Sequence, residues 1–402
     1  MKIAVVGGGI SGIISSIGLV ERGHDVHLFE KTECLGGRIK SKHKEGITFD
    51  IGFHVLHTGY STVAKWIDVD TISHYKMHPS SSLISPSSGK KKIIGDVFSA
   101  PSTLLGSATS MSPFNALRLL KWRMSNTKSQ DVKNLDSRKK IDYGFSEKGF
   151  SANFQKQFLE PLFAGITLSE ERLEAIEFAD FIWGVMSKAP IILPKEGMRS
   201  IIDQLQKKMG NVNIHLNSTI ENLSKNSVTL NGKVEEFDRV ILATSQDITY
   251  KFLNLDLEGE KRQTRTYVYK TKSNPIRKLQ IMLNSEYDIT TSPILHVHSP
   301  TAVNQTKDHL VIATMIGHAC QNENWELIDT EMKKWFPNDF ASFERFDSTY
   351  IEHALPNSVL EGNARIPHEV DGILIAGDHT RHPSLHGAIL SAEKVIQSVG
   401  VV

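Results

Sequence analysis

A short apolar run, Ile3-Ala4-Val5-Val6, gives way at once to Gly7-Gly8-Gly9-Ile10-Ser11-Gly12, and this junction constrains the fold more than any other part of the chain. The pattern predicts a buried strand, a glycine turn, a helix over residues 13–21, a second strand at Val26-His27-Leu28-Phe29 and an acid, Glu30, at its end. Gly7, Gly9 and Gly12 have the spacing of a dinucleotide-binding turn. Gly7 permits the tight turn, Gly9 lets a pyrophosphate approach the backbone, and Gly12 lets helix and strand pack closely. The helix N-terminus, led into by Ile10 and Ser11, favours phosphate charge. Glu30, followed by Lys31, stands where a carboxylate accepts hydrogen bonds from a ribose, and a carboxylate there repels a 2′-phosphate.

Composition limits the alternatives. The 402 residues include 46 Lys+Arg and 45 Asp+Glu, a net charge of +1, so no global electrostatic reason exists to bind nucleic acid. With 40% hydrophobic and 23% charged residues, the chain is neither disordered nor fibrous. Two cysteines, Cys34 and Cys320, exclude a disulfide framework and a cysteine-rich metal site, and point to a reducing compartment. No stretch reads as a signal peptide or a membrane span, so the expectation is a cytoplasmic protein that at most rests on a membrane surface.

After Glu30 come Leu35-Gly36-Gly37-Arg38, then Asp50-Ile51-Gly52-Phe53-His54. Near the other end, Gly372-Ile373-Leu374-Ile375-Ala376 reads as a buried strand, followed by Gly377-Asp378-His379-Thr380 and by Pro383-Ser384-Leu385-His386-Gly387-Ala388 at the start of a helix. In this order the motifs resemble the flavin amine oxidase, phytoene desaturase and protoporphyrinogen oxidase superfamily. The resemblance implies FAD, with Gly36, Gly37 and Arg38 against its phosphates, Gly52, Phe53 and His54 at the flavin ring, and Ile220 touching adenine through its backbone. It further implies that Asp378 holds the ribityl or pyrophosphate region, and that Leu385, His386 and Ala388 bring a helix N-terminus to the flavin. Neither cysteine lies in the C-terminal motif, so non-covalent FAD is expected. The implied fold is α/β: a discontinuous Rossmann-type FAD-binding domain at 1–75, 205–250 and 360–402, with an α+β substrate domain at 76–204 and 251–359.

Segments around residues 54, 160 and 195 look most like the desaturase branch, and imply hydride removal from an apolar or amphipathic small molecule to form a C=C or C=N bond. An amine or protoporphyrinogen oxidase, a non-redox flavoenzyme such as an isomerase or a UDP-galactopyranose mutase-like enzyme, and a flavin-binding protein without turnover are the alternatives. His54 is the candidate acid–base residue, since it follows the Asp-x-Gly motif and the unperturbed pKa of a histidine is near neutral. His57 and Tyr60 are weaker candidates for the same cavity. Lys270, Lys272 and Lys278 lie where amine oxidases carry a lysine. His379, His382 and His386 share one loop, but no metal is expected.

Several features of the middle remain to be placed by structure. Residues 80–92 read as a solvated Ser/Gly/Lys loop. Glu170 to Lys188 reads as a helix capped by Thr167 or Ser169, with Phe178 and Trp183 in its packed core rather than along a substrate tunnel. Residues 113–140 are basic, and Phe114, Leu117, Leu120 and Met124 recur at helical spacing. The preferred reading packs this stripe on the substrate domain; the other rests it on an anionic membrane.

Overall fold

The computed structural model describes residues 1–133, 139–303, 307–357 and 365–400. Parts of the expected domain ranges and of the basic segment, at 134–138, 304–306, 358–364 and 401–402 and including Asp136, lie outside the described residues.

The N-terminal apolar run forms strand Lys2–Val6 inside a six-stranded sheet. Asp25–Phe29 and Arg239–Leu242 flank it in parallel. Asn213–His215 and Ile373–Ile375 extend the sheet on either side, again in parallel, and Glu369–Val370 closes one edge antiparallel. Both faces of this sheet are covered, so its central strand needs no polar alternation: Ile3, Ala4 and Val5 are all fully buried.

The following helix runs Ile10–Val20 and starts three residues before the expected position. Gly12 makes this early start possible, because a Cβ there would stand 2.0 Å from the Gly7 carbonyl oxygen. The last helix, Leu385–Val399, packs along the first, and Ile396 occupies the space that a Gly18 side chain would need. Ile13, Ile14, Ile17, Ile389, Ala392 and Val395 fill the seam. Each of the larger ones contributes about 1.5–3 kcal/mol by leaving water. A meander of strands Ile220–Leu223, Ser227–Leu230 and Lys233–Glu236 joins the sheet through Val228 and Phe237.

A second sheet has seven strands in the order Glu344–Leu355, Arg262–Thr271, His309–Ile316, His296–His298, Ile281–Asn284, Ser80–Ser85 and Lys90–Gly95. Residues 80–92 are therefore mostly paired strand rather than solvated loop. Ser82 is buried and accepts a hydrogen bond from Gln280 Nε2 at 2.6 Å, so a serine-rich segment is tolerated inside a sheet.

Helices Glu160–Thr167 and Ile176–Lys188 cover the space between the two sheets and their neighbours, around Phe145, Phe163 and Ala179. The second begins six residues later than expected and has Ala175, not Thr167 or Ser169, at its N-cap. Arg172 adopts φ 51°, which no helix allows, and the Ser169 hydroxyl is used by Glu260 and the Leu173 amide.

The basic segment forms helix Pro113–Asn126, capped by the Ser112 side chain. Its buried positions are Asn115, Trp122 and Asn126, while Phe114, Leu117 and Met124 face solvent. The expected packing of the apolar stripe thus does not occur. Trp122, stacked on Trp183 at 4.6 Å, takes the inward place. Among the described residues no helix is long and apolar enough to cross a membrane.

Candidate active site

A cavity of about 1300 Å³ opens beside the first glycine turn. Ligand pockets commonly span roughly 300–1,000 Å³, so there is room here for more than one small molecule. Its wall gathers Gly7, Gly9, Ile10, Ser11, Glu30, Lys31, Gly36, Gly37 and Arg38 from the N-terminal segment, and Ile220 from the meander. Gly377, Asp378, Leu385 and Ala388 join from the C-terminal segment.

Hydrogen bonds tie these pieces together. Glu30 accepts from the Gly8 amide at 2.8 Å, and from the Thr32 amide and hydroxyl at 2.9 and 2.7 Å. The Gly36 amide donates to the Gly8 carbonyl at 2.8 Å, holding the second glycine turn against the first. Gly36 has φ 129°, and a Cβ there would meet the Ile39 carbonyl at 2.8 Å, so another residue at this position would be strained. Arg38 bridges the chain ends: its Nη2 donates to Asp378 Oδ1 at 2.7 Å and its Nη1 to the Ala354 carbonyl at 3.0 Å. The Ser11 hydroxyl donates to the Ala388 carbonyl at 2.9 Å, which joins the first helix to the last.

This wall fits the pyrophosphate part of FAD. Gly9 lines the cavity in an extended conformation, φ −74° and ψ 179°, and apart from its two chain neighbours no residue comes within 4 Å of where its Cβ would be. The open space lies beside the first turn of helix Ile10–Val20, whose leading amides have no partner within the helix. Two of the five Arg38 donors are engaged, which leaves others for phosphate oxygens.

Three expected residues do not line the cavity. Gly12 is packed beneath the turn, and Gly52 sits behind Phe53, where a Cβ would meet Ile351 at 3.2 Å. His386 is 1% exposed and turned away, stacked on Tyr60 at 5.2 Å. Its Nδ1 pairs with the Thr62 hydroxyl at 2.8 Å and its Nε2 with the Gln130 carbonyl at 3.0 Å. Its place on the first turn of a helix flanked by aromatic rings decides this orientation.

The rest of the wall differs in character. Phe53, His54, His57 and Tyr60 come from the segment after Gly52; Leu162, Ile166, Phe178, Ile182 and Met186 come from the two helices; Ile281, Leu283 and His296 come from the second sheet. Phe178 packs in the core as expected but also lines the cavity, while Trp183 stacks on Trp122 away from it. His54 Nδ1 is buried without a hydrogen-bond partner, and burial, followed by the charge of Arg38, lowers its pKa to about 4. Burial lowers His57 to about 4 as well.

His296 and His298 were not singled out in the sequence. Both rings pack edge-on against Phe53, at centroid distances of 5.0 and 4.6 Å. His296 Nε2 has no partner, and burial lowers this ring to about 4. A His-x-His pair in an apolar strand places both rings on one face, and that spacing was the available signal.

Lys270, Lys272 and Lys278 do not line the cavity; Lys270 pairs with Glu45 at 2.5 Å and Lys272 with Asp308. Neither Cys34 nor Cys320 lines it. The loop histidines separate: His379 packs near Gly377 with Nδ1 4.0 Å from Asp378, while His382 and His386 meet Asp131. Asp131 also pairs with Arg381, and that guanidinium opposes a cation among these three groups.

The sequence profile of the family described as flavin containing amine oxidoreductase matches residues 10–399. Over 52 residues the chain is 44% identical to a 4,4'-diapophytoene desaturase (4,4'-diaponeurosporene-forming) of Staphylococcus aureus (strain Newman). That stretch is 13% of this chain and 10% of the desaturase, so the match spans a tenth of that protein's length. The fold is similar to that of an oxidoreductase from Methanosarcina mazei, with a TM-score of 0.74 and 16% identity over 99% of this chain and 100% of that one. It is also similar to a redesigned putrescine oxidase, with a TM-score of 0.71 and 12% identity over 99% and 98% of the two chains. At these identities the likeness is one of fold.

Proposed function

Because this chain belongs to the flavin-containing amine oxidoreductase family and is an FAD-dependent oxidoreductase, we propose that it removes a hydride from an apolar or amphipathic small molecule, in the manner of a desaturase. One observation carries this reading. The cavity wall built from residues 53–77, 162–198 and 281–296 contains no carboxylate and no lysine, and is made largely of Leu162, Ile166, Ile182, Met186, Ile281 and Leu283. The acids on the wall are Glu30, Glu221 and Asp378, all on the segments that cradle the dinucleotide in this reading. An ammonium substrate would meet no counter-charge on the apolar wall, whereas a hydrocarbon chain would be desolvated there at a gain.

The division of labour follows. Gly9, Arg38 and the first turn of helix Ile10–Val20 bind the pyrophosphate, Glu30 the ribose, and Asp378 with the N-terminus of helix Leu385–Val399 the ribityl side. We also read the segments 1–75, 205–250 and 360–402 as the cofactor domain and the remainder as the substrate domain. Bound FAD, held without a covalent link, supplies the hydride acceptor. The apolar wall orients the substrate and excludes water. His54 is neutral at physiological pH and its Nδ1 is free of partners, so it can take the proton released from the carbon adjoining the hydride donor as the double bond forms. Such a substrate resides in a lipid phase, and the enzyme is read as working at a membrane surface.

The test is anaerobic reduction of the holoenzyme. Apolar polyenes are expected to bleach the oxidised flavin band, while amines and porphyrinogens leave it unchanged. Bleaching by amines or porphyrinogens alone would overturn the desaturase reading in favour of an oxidase. His54→Ala is expected to slow this reduction by roughly 10²-fold or more with FAD content unchanged. An unaltered rate would reduce His54 to a wall residue.

A further inference from the structure

We propose that the face formed by Phe98, helix Leu104–Ser110 and helix Pro113–Asn126 seats the enzyme on an anionic lipid bilayer; this deepens the apolar-substrate reading and takes its purpose from it. Phe98, Leu104, Leu105, Phe114, Leu117 and Met124 are each between 61% and 77% exposed, and all fall within 27 consecutive residues, 98–124. On the longer helix, Phe114, Leu117, Lys121 and Met124 succeed one another at intervals of three and four, which puts them on one side. The opposite side is spoken for by Asn115, Trp122 and Asn126. Arg123 lies over the Phe98 ring at 4.8 Å, which brings that ring next to the helix. An apolar surface of this kind, with basic residues among it, has the composition of an interfacial element.

Charge selects the occupant. From residue 97 to residue 130 the chain has no Asp or Glu, and its cations Arg118, Lys121 and Lys128 stand beside Arg123, which is spent on Asp96. The bordering acids are neutralised: Asp96 by Arg123 at 2.9 Å, and Asp131 by Arg381. Exposed Lys90, Lys91 and Lys92 lie on strand Lys90–Gly95, whose Ile93 and Gly95 amides donate to Ser110 and Ser107 of helix Leu104–Ser110. A second copy of this chain, docked symmetrically, would set these cations against one another. Anionic headgroups neutralise them instead.

The face is also close to the cavity. Helix Pro113–Asn126 packs on helix Ile176–Lys188 through the Trp122–Trp183 stack, and Phe178, Ile182 and Met186 of the latter line the cavity. One helix therefore separates the exposed stripe from the apolar wall.

Flotation of the FAD-loaded enzyme with vesicles tests the assignment. Vesicles of phosphatidylcholine with about a third phosphatidylglycerol are expected to carry at least roughly tenfold more protein than phosphatidylcholine alone. The triple variant Leu105→Glu/Phe114→Glu/Leu117→Glu should lose that binding at least roughly tenfold while keeping its FAD and its Tm, since the three side chains are outside the core. Lys121→Glu/Lys128→Glu should abolish the preference for anionic lipid. No flotation of the wild type, or undiminished flotation of the triple variant, would overturn the proposal. So would a wild-type dimer that the triple variant converts to monomer without any vesicle binding, which would assign the face to a second copy. Flavin bleaching by a detergent-dispersed polyene is read separately. Protein that floats but is not bleached keeps the docking face and loses the substrate reading; protein that is bleached but does not float keeps the substrate reading alone.

Discussion

Gly9→Val is expected to yield folded protein that purifies without FAD. The backbone at Gly9 is extended, so any side chain fits its conformation, and apart from its two chain neighbours no residue comes within 4 Å of the new Cβ. What the valine occupies is the space at the head of helix Ile10–Val20 where a pyrophosphate would touch the backbone. The loss should be near complete: flavin absorbance falls to the background of the apoprotein while the circular dichroism spectrum stays that of the wild type. Adding Glu30→Ala should remove any residual binding. Gly12→Ala supplies the contrast, because its Cβ would lie 2.0 Å from the Gly7 oxygen. That variant should lose about 1–3 kcal/mol or more of stability even as apoprotein. Stoichiometric FAD in purified Gly9→Val would mean that the glycine turn does not cradle the cofactor.

Acidification should destabilise the protein well before its exposed carboxylates titrate, although Asp50, which burial raises to about 6, takes up a proton in the native state and opposes the trend. His296, His379 and His386 are each at most 3% exposed, and burial is the first cause holding each near a pKa of about 4. In the unfolded chain they return to about 6.5. A histidine depressed in this way is neutral in the native state, so between pH 6.5 and 4 the unfolded state binds more protons and stability declines as pH falls. The stabilisation is fully present above pH 6.5. Each ring accounts for on the order of 3 kcal/mol across that window, and three together rival the ordinary total of about 5–15 kcal/mol. His386 shows the balance: burial and then the neighbouring His382 resist its protonation, and together they outweigh Asp131 and the Gln130 carbonyl, which favour the charged ring. The apoprotein Tm, followed from pH 7.5 to 4.5, should drop steeply below pH 6.5. A flat profile would show that these rings are solvated or protonated in the folded state.

The parallel sheet around strand Lys2–Val6 was legible because local rules govern it. A continuous apolar strand, a glycine turn and a following helix specify their own geometry within about 30 residues. Arg38 and Asp378 were legible as separate motifs, and the structure joins them at 2.7 Å across 340 positions of sequence. His386 shows the boundary: its neighbours at 385 and 388 reach the cavity, but its own direction depends on Tyr60 and Phe181, which come from distant segments.

The sequence by itself determined the glycine turns, the acid after the second strand and the helix start at the C-terminal motif, because backbone conformation and short spacing set them. Only the tertiary structure decided which side of each amphipathic element turns inward. Helical periodicity marked Phe114, Leu117 and Met124 as apolar, yet Trp122 buries the opposite side, since the stack on Trp183 and the ring cluster with Phe145 and Phe163 remove more surface from water. In the same way a serine-rich stretch became strand Ser80–Ser85 because Ile281–Asn284 and Lys90–Gly95 supply its backbone partners. His296 reached the cavity through a sheet assembled from residues more than 200 positions apart. Long-range partners, absent from any local window, set these outcomes.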